Sequence, residues 1–220
     1  MVNRELRITE DGSHTIYLRD LDEPYHSIHG SIQESMHVFI NQGFNLVGRS
    51  PIRILEIGLG TGLNILLTLA ESEKRRVEVS YHAVEKYPLV PREFKSLNFE
   101  QFIPDVASGS LMAIHERPWG QDIMLSGNFT LFKELADIRD MIPNKTFDLV
   151  YFDAFAPDKQ PELWNENVFR KVAGCMKPGA ILVTYAAKGS VRRTMKACGF
   201  LVEKVPGPPG KREMIRARRI

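Results

Sequence analysis

The sequence predicts an α/β protein: a doubly wound, mostly parallel sheet that ends in an antiparallel hairpin, preceded by a small hairpin-plus-helix extension. Three observations carry this prediction. From residue 52 onward, short β-rich runs alternate with helix-patterned stretches, the order that builds a parallel sheet covered on both faces. The run ILEIGLGTGLN, residues 54 to 64, reads as a buried strand that stops at a glycine turn and starts a helix. The last two β-rich runs are joined by Pro206-Gly207-Pro208-Pro209-Gly210 rather than by a helix, so they pair antiparallel at the end of the sheet.

Taken in chain order, residues 6 to 18 place Asp11-Gly12 between two β-rich arms, a hairpin signature. A helix is expected over 31 to 47. Ser31 is its candidate cap with Glu34 three positions on, and Ile32, Met36, Phe39, Ile40 and Phe44 share one face. Pro51 marks entry to the core, so residues 1 to 50 are expected to form a cap and 51 to 220 the main domain. Strands are expected at 52–57, 77–84, 122–126, 147–153, 180–185, 200–205 and 212–219, with the run at 122–126 as the third.

At 220 residues the chain is long enough for one full α/β domain with a core plus a small addition. Its 43% hydrophobic and 25% charged residues are ordinary for a soluble globular protein. No apolar run approaches bilayer length and MVNRELRITE carries no signal-peptide core, so a cytoplasmic location is expected. Cys175 and Cys198 lie in apolar surroundings outside any C-x-x-C pair, which suits buried thiols. The six histidines are scattered, so no metal site is expected.

The glycine turn narrows the ligand. Gly58, Gly60 and Gly62 let a nucleoside-bearing molecule approach bare backbone. A phosphate-cradling P-loop needs Lys and then Ser or Thr after its last glycine, where this chain has Leu63 and Asn64. A dinucleotide turn has Leu63 in place of its third glycine, which weakens that reading without removing it. Glu85, at the end of the next strand and 25 positions after Gly60, can accept both hydrogen bonds from a ribose diol. Asp153 ends the strand at 147–153, where open α/β sheets hold their reactive crevice, and Phe155 and Trp164 follow in a loop that offers rings for base stacking.

The net charge of +2 is unevenly spread. From Lys188 to Ile220 ten Lys or Arg stand against Glu203 and Glu213, giving +8, so residues 1 to 187 carry −6. Such a basic segment on an acidic body suits either a polyanionic partner met from one side or a solvated charged face.

The combination of GLGTGLN, VEKYPL (84–89), DAFAPDKQPELW (153–164), VRRTMKACGF (191–200) and GKREM (210–214) resembles the methyltransferase half of the bacterial tRNA 5-methylaminomethyl-2-thiouridine enzymes, the MnmC-type family. Tyr25-His26-Ser27 and Gln33-Glu34-Ser35 resemble its N-terminal pattern. The resemblance implies a class I S-adenosylmethionine-dependent methyltransferase fold. The implied activity is methylation of the 5-aminomethyl amine of wobble (2-thio)uridine in tRNA, with S-adenosyl-L-methionine as cofactor. Cofactor positions then fall on Glu56, Gly58, Gly60, Thr61, Gly62, Asn64, Glu85, Lys86, Asn128 and Asp153. Asn128 stands there because the family usually has Gly-Asp after its third strand, where this chain has Gly127-Asn128. Asp153 is the candidate catalytic residue. Tyr25, Glu34, Phe155, Lys188, Arg192, Arg193, Lys211 and Arg212 are the candidate substrate contacts. A monomer without the family's FAD-dependent oxidase half is expected, receiving an already aminomethylated tRNA from another enzyme. The alternatives are a polyamine aminopropyltransferase-like or small-amine N-methyltransferase, and a non-catalytic tRNA-binding module.

Overall fold

A computed structural model gives the structure of residues 3–141 and 146–220. The N-terminal residues build a three-stranded antiparallel sheet from β1 (Arg4–Ile8), β2 (His14–Leu18) and β3 (Glu23–Pro24). Its first turn is longer than a two-residue hairpin. Ile8 pairs with His14, and Asp11 closes the loop by accepting from the Ser13 amide at 3.0 Å and the Thr9 hydroxyl at 2.8 Å.

The helix expected over 31–47 is broken into three pieces. A short α1 (Ser31–Ser35) runs into a π-turn over Met36–Asn41, and a 3-10 turn follows at Phe44–Leu46. Ser31 does not cap it. Its hydroxyl donates to the His14 carbonyl at 2.9 Å, while Glu34 accepts the Ser27 amide at 2.7 Å. Both groups are buried, and they tie the segment to the strands before it rather than to its own first turn.

The remaining strands are β4 (Ile52–Ile57), β5 (Val79–Glu85), β6 (Asp122–Ser126), β7 (Phe129–Leu135), β8 (Phe147–Phe152), β9 (Met176–Thr184), β10 (Phe200–Pro206) and β11 (Glu213–Arg219). They form one eight-stranded sheet in the order β10-β11-β9-β8-β4-β5-β7-β6. The five central strands β9, β8, β4, β5 and β7 are parallel, and β10 with β11 forms the expected antiparallel hairpin.

One strand corrects the sequence reading. The run at 122–126 is an antiparallel edge strand, and the third parallel strand is β7, which pairs with β5 from Val79↔Phe129 to Glu85↔Leu135. Gly127-Asn128 is the turn between β6 and β7, at the amino end of the parallel strands. Asn128 donates there to the Ser72 and Val77 carbonyls at 3.1 and 3.0 Å.

Two apolar layers flank the sheet. On one face α2 (Leu63–Arg75) and α4 (Ser110–Glu116), with the single-turn α3 (Pro91–Phe94) between them in the chain, pack with the π-turn over Ile54, Tyr81, Phe129, Leu149 and Tyr151. On the other, α5 (Glu166–Gly174) and α6 (Gly189–Ala197) cover Leu55, Val150, Phe152 and Leu182. Phe152, Trp164 and Phe169 cluster with ring centroids 4.8 to 6.3 Å apart. Burying each such ring contributes about 1.5–3 kcal/mol. Because β8 is buried along its whole length, its carboxyl end emerges at a fixed height above the sheet.

Candidate active site

Strand order reverses between β4 and β8: the chain builds outward through β5 and β7 on one side and through β9 on the other. A crevice therefore opens above the carboxyl ends of these two strands. The cleft found there has a volume of about 370 Å³, within the range of small-molecule sites. Its walls come from the glycine turn after β4, Glu85 and Lys86 after β5, Ala136 to Arg139 after β7, Asp153 to Phe155 after β8 and Tyr25 from the N-terminal segment.

The glycine turn is shaped by close approach. Gly58 has φ +90°, and a Cβ there would lie 2.5 Å from the Asp153 carbonyl oxygen. Gly60 has φ +52°, and a Cβ there would sit 3.1 Å from the Tyr25 ring. The Gly60 amide donates to Glu85 Oε2 at 3.0 Å and the Tyr87 amide to Oε1 at 2.6 Å. Two backbone donors thus fix the Glu85 carboxylate at the cleft wall, leaving each oxygen lone-pair capacity for a further donor.

Across the crevice the Asp153 amide donates to the Ile57 carbonyl at 3.0 Å, and its Oδ2 accepts from Asn64 Nδ2 at 2.8 Å. Enclosure by protein pushes the Asp153 carboxyl up to about 7; the Asn64 hydrogen bond pulls against this, Glu34 adds to it and Lys211 opposes it. The same Asn64 Nδ2 reaches Glu56 Oε1 at 2.8 Å. Glu56 is completely buried, and desolvation raises its carboxyl well above the usual range.

Tyr25 meets Phe155 edge-to-face at 5.0 Å, and burial lifts its phenol to about 12. His26 is buried with Nε2 2.6 Å from the Thr61 hydroxyl, and desolvation lowers it to about 4, so it is neutral at pH 7. The Tyr185 hydroxyl donates to the Ala154 carbonyl at 2.8 Å, and the Lys211 ammonium lies 4.0 Å from the Tyr185 ring centre.

Of the predicted site residues, Tyr25, Gly58, Gly60, Thr61, Glu85, Lys86, Asp153 and Phe155 line the cleft together. Glu56, Gly62 and Asn64 lie behind its wall. Asn128 lies at the opposite edge of the sheet, its side chain committed to backbone carbonyls, so it does not reach the cleft. The acid that does is Asp137, next to Ala136 just past the carboxyl end of β7. Lys86 donates to Asp137 at 3.0 Å, and the Arg139 guanidinium holds its carboxyl well below the usual carboxylate range. Trp164 is buried and donates to the Phe155 carbonyl at 2.8 Å, so its ring is core. Asp137, Tyr185 and Arg4 are cleft residues that sequence reasoning missed; Asp137 was findable from its place after a strand, once β7 was recognised.

The candidate polyanion contacts fall into two groups. Lys211 pairs with the buried Glu34 at 2.8 Å, and Lys188 pairs with Asp158. Arg193 and Arg212 are exposed and form no ion pair among the described residues. Lys188, Lys211 and Arg212 sit in the loops that follow β9 and precede β11, at the same sheet edge as the cleft.

A family model for S-adenosyl-L-methionine-dependent methyltransferases matches residues 110–220, half of the chain. The chain belongs to this family. The methyltransferase is 32% identical over 228 residues to the tRNA 5-methylaminomethyl-2-thiouridine biosynthesis bifunctional protein MnmC of Cupriavidus metallidurans, covering 96% of this chain and 33% of that protein. It is 33% identical over 213 residues to the protein of the same name from Ectopseudomonas mendocina, covering 90% of this chain and 32% of that one. It thus spans about a third of the length of these curated relatives. The crystal structure of MnmC2 from Aquifex aeolicus superposes with a TM-score of 0.82 at 29% identity, covering 99% of this chain and 70% of that one. Spermidine synthase from Thermotoga maritima shares the fold, with a TM-score of 0.57 at 11% identity. No helix among the described residues is long and apolar enough to cross a membrane.

Proposed function

We propose that this methyltransferase transfers a methyl group from S-adenosyl-L-methionine to the 5-aminomethyl amine of wobble (2-thio)uridine in tRNA. The observation that carries the reading is Asp153: a carboxyl raised to about 7, at the mouth of a glycine turn and across the crevice from Glu85. The relatives named for 5-methylaminomethyl-2-thiouridine biosynthesis supply the substrate class.

The residues present fit the cofactor. A turn at which side chains would collide with Asp153 and Tyr25 leaves bare backbone facing the cleft, and Glu85 is oriented to accept from a ribose diol. When bound, S-adenosyl-L-methionine supplies an activated methyl group for in-line attack by an amine. The chain's part is alignment and proton handling. An alkylamine with a pKa near that of Lys must shed its proton first, costing about 4–5 kcal/mol at neutral pH if the site does nothing. Asp153 accepts a hydrogen bond from the neutral amine, aims its lone pair, and takes the proton that the nitrogen releases as the new N–C bond forms and the S–C bond breaks; an acceptor near 7 is far better matched to that role at neutral pH than an ordinary Asp. Phe155 and Tyr25 offer ring faces to the base. Arg193, Arg212 and their basic neighbours meet the tRNA backbone, with residues 1 to 50 as a cap over the entrance.

Incubation with S-adenosyl-L-methionine and tRNA bearing 5-aminomethyl-2-thiouridine, followed by nucleoside mass analysis, should yield a product one methyl heavier at the wobble position. Methylation of free polyamines but not of this tRNA would refute the reading.

A further inference from the structure

A single amide joins two carboxyl groups behind the cleft. Asn64 Nδ2 has two hydrogens, and both are spent: one on Glu56 Oε1 and one on Asp153 Oδ2, each at 2.8 Å. Glu56 Oε2 and Asn64 Oδ1 are buried without a hydrogen-bonded partner, and the Tyr81 hydroxyl lies close enough to couple to the Glu56 carboxyl. Glu56 belongs to β4, Asn64 to the first turn of α2, and Asp153 is the first residue after β8, so the bridge joins the three elements that define the crevice.

Two carboxylates sharing one amide in a dry interior repel each other strongly, and such a pair holds a proton on the member further from water. Glu56 is fully buried and Asp153 reaches the cleft, so the proton belongs to Glu56 and the charge to Asp153. Oε1 already accepts from Asn64, which leaves the acid proton on Oε2, the otherwise unpartnered oxygen.

We propose that Asn64 and a neutral, protonated Glu56 form a positioning pair that holds the Asp153 carboxylate in its reactive orientation, rather than contacting the cofactor. This rests on the assignment of Asp153 as the proton acceptor. The bridge allows Asp153 one orientation about its terminal bond, leaving Oδ1 free for the incoming amine. Burial of Glu56 without charge keeps a second anion from competing for that amine. The groups facing Asp153 are Glu56 from β4, Glu34 from α1, Lys211 from the β10–β11 turn, Tyr185 from the segment after β9 and Tyr81 from β5.

The test combines turnover with infrared titration of the protein alone. Asn64→Ala should lower kcat roughly tenfold to a hundredfold, the range of one charge-assisted hydrogen bond. Its Kd for S-adenosyl-L-methionine by calorimetry should stay within about threefold of wild type, and the acid limb of its pH–rate profile should move up, because a hydrogen bond that favours ionised Asp153 is gone. Glu56→Ala should lose turnover in the same way, and Glu56→Gln, which keeps an acceptor for Asn64 Nδ2, should restore most of it. Without any tRNA, difference infrared spectra at neutral pH should show a protonated-carboxyl band that Glu56→Gln removes. The Asp153 carboxylate band should titrate at higher pH in Asn64→Ala. Loss of cofactor affinity with unchanged kcat in Asn64→Ala, or no protonated carboxyl lost in Glu56→Gln, overturns the proposal. Absence of wild-type turnover on the aminomethylated tRNA overturns the substrate reading instead, and the infrared arm still decides the pairing.

Discussion

Replacing Asp153 with Asn should flatten the pH dependence of methyl transfer as well as lower its rate. The carboxyl sits at about 7, so its ionised fraction rises roughly tenfold between about pH 6 and about pH 8. The acceptor amine, with a pKa of about 10.4, gains roughly a hundredfold in its neutral fraction over the same interval. If transfer needs both species, wild-type kcat/KM climbs roughly a thousandfold across this window and Asp153→Asn only about a hundredfold, since the amine alone still titrates. Loss of the acceptor also drops the rate at about pH 8 by roughly a hundredfold or more. The substitution keeps the shape and an oxygen for Asn64, so the cofactor site stays intact. The assay is transfer of labelled methyl to aminomethylated tRNA at saturating S-adenosyl-L-methionine and low tRNA, with calorimetric cofactor binding alongside. Parallel pH profiles for the two proteins would refute the acceptor role.

Four other substitutions have equally definite outcomes. Gly58→Ala forces a methyl group to within 2.5 Å of the Asp153 carbonyl at φ +90°; backbone strain of about 1–2 kcal/mol plus displacement of Asp153 should weaken cofactor binding at least about tenfold by calorimetry. Glu85→Gln exchanges a charged acceptor for a neutral one, and cofactor Kd should rise roughly tenfold with little change in kcat at saturation. Arg212→Ala should reduce the log-log salt slope of tRNA binding by about 0.9 without changing Tm, whereas Lys211→Ala should lower Tm because it strands the buried Glu34 charge; both are read by binding titrations at several salt concentrations and by calorimetry.

The glycine turn, Glu85 and Asp153 were legible in the sequence because each follows an apolar run whose burial leaves no doubt about where the strand ends. The third parallel strand was harder to see. Its sequence FTLFKEL carries Lys133 and Glu134, which interrupt the apolar run, yet Lys133 is fully buried. The carbonyls of Ile114 and His115 accept from its ammonium at 2.6 and 3.0 Å, at the negative end of α4, and Trp119 lies 4.8 Å away as a ring partner. A tertiary contact thus makes a lysine tolerable in a core strand, and no local pattern reports it. With β7 hidden, the sequence pattern puts the strand end at Gly127-Asn128 and gives no sign of Asp137. The helix at 31–47 failed for a related reason: Ser31 and Glu34 fit a capping pattern, but both are used by His14 and Ser27, partners set by the folded N-terminal strands.

The N-terminal segment is stitched to the far end of the chain. His37 Nε2 lies 2.8 Å from the Pro206 carbonyl oxygen, Glu34 holds Lys211, and Gln42 accepts from Arg216 at 2.9 Å. These three contacts join residues 169 to 177 positions apart, so the part of the segment that carries Glu34, His37 and Gln42 cannot complete its docking until residues 206 to 216 have been made. The segment that carries Tyr25 is thus held in part by the β10–β11 hairpin, and a chain interrupted before residue 206 would lack all three of these moorings.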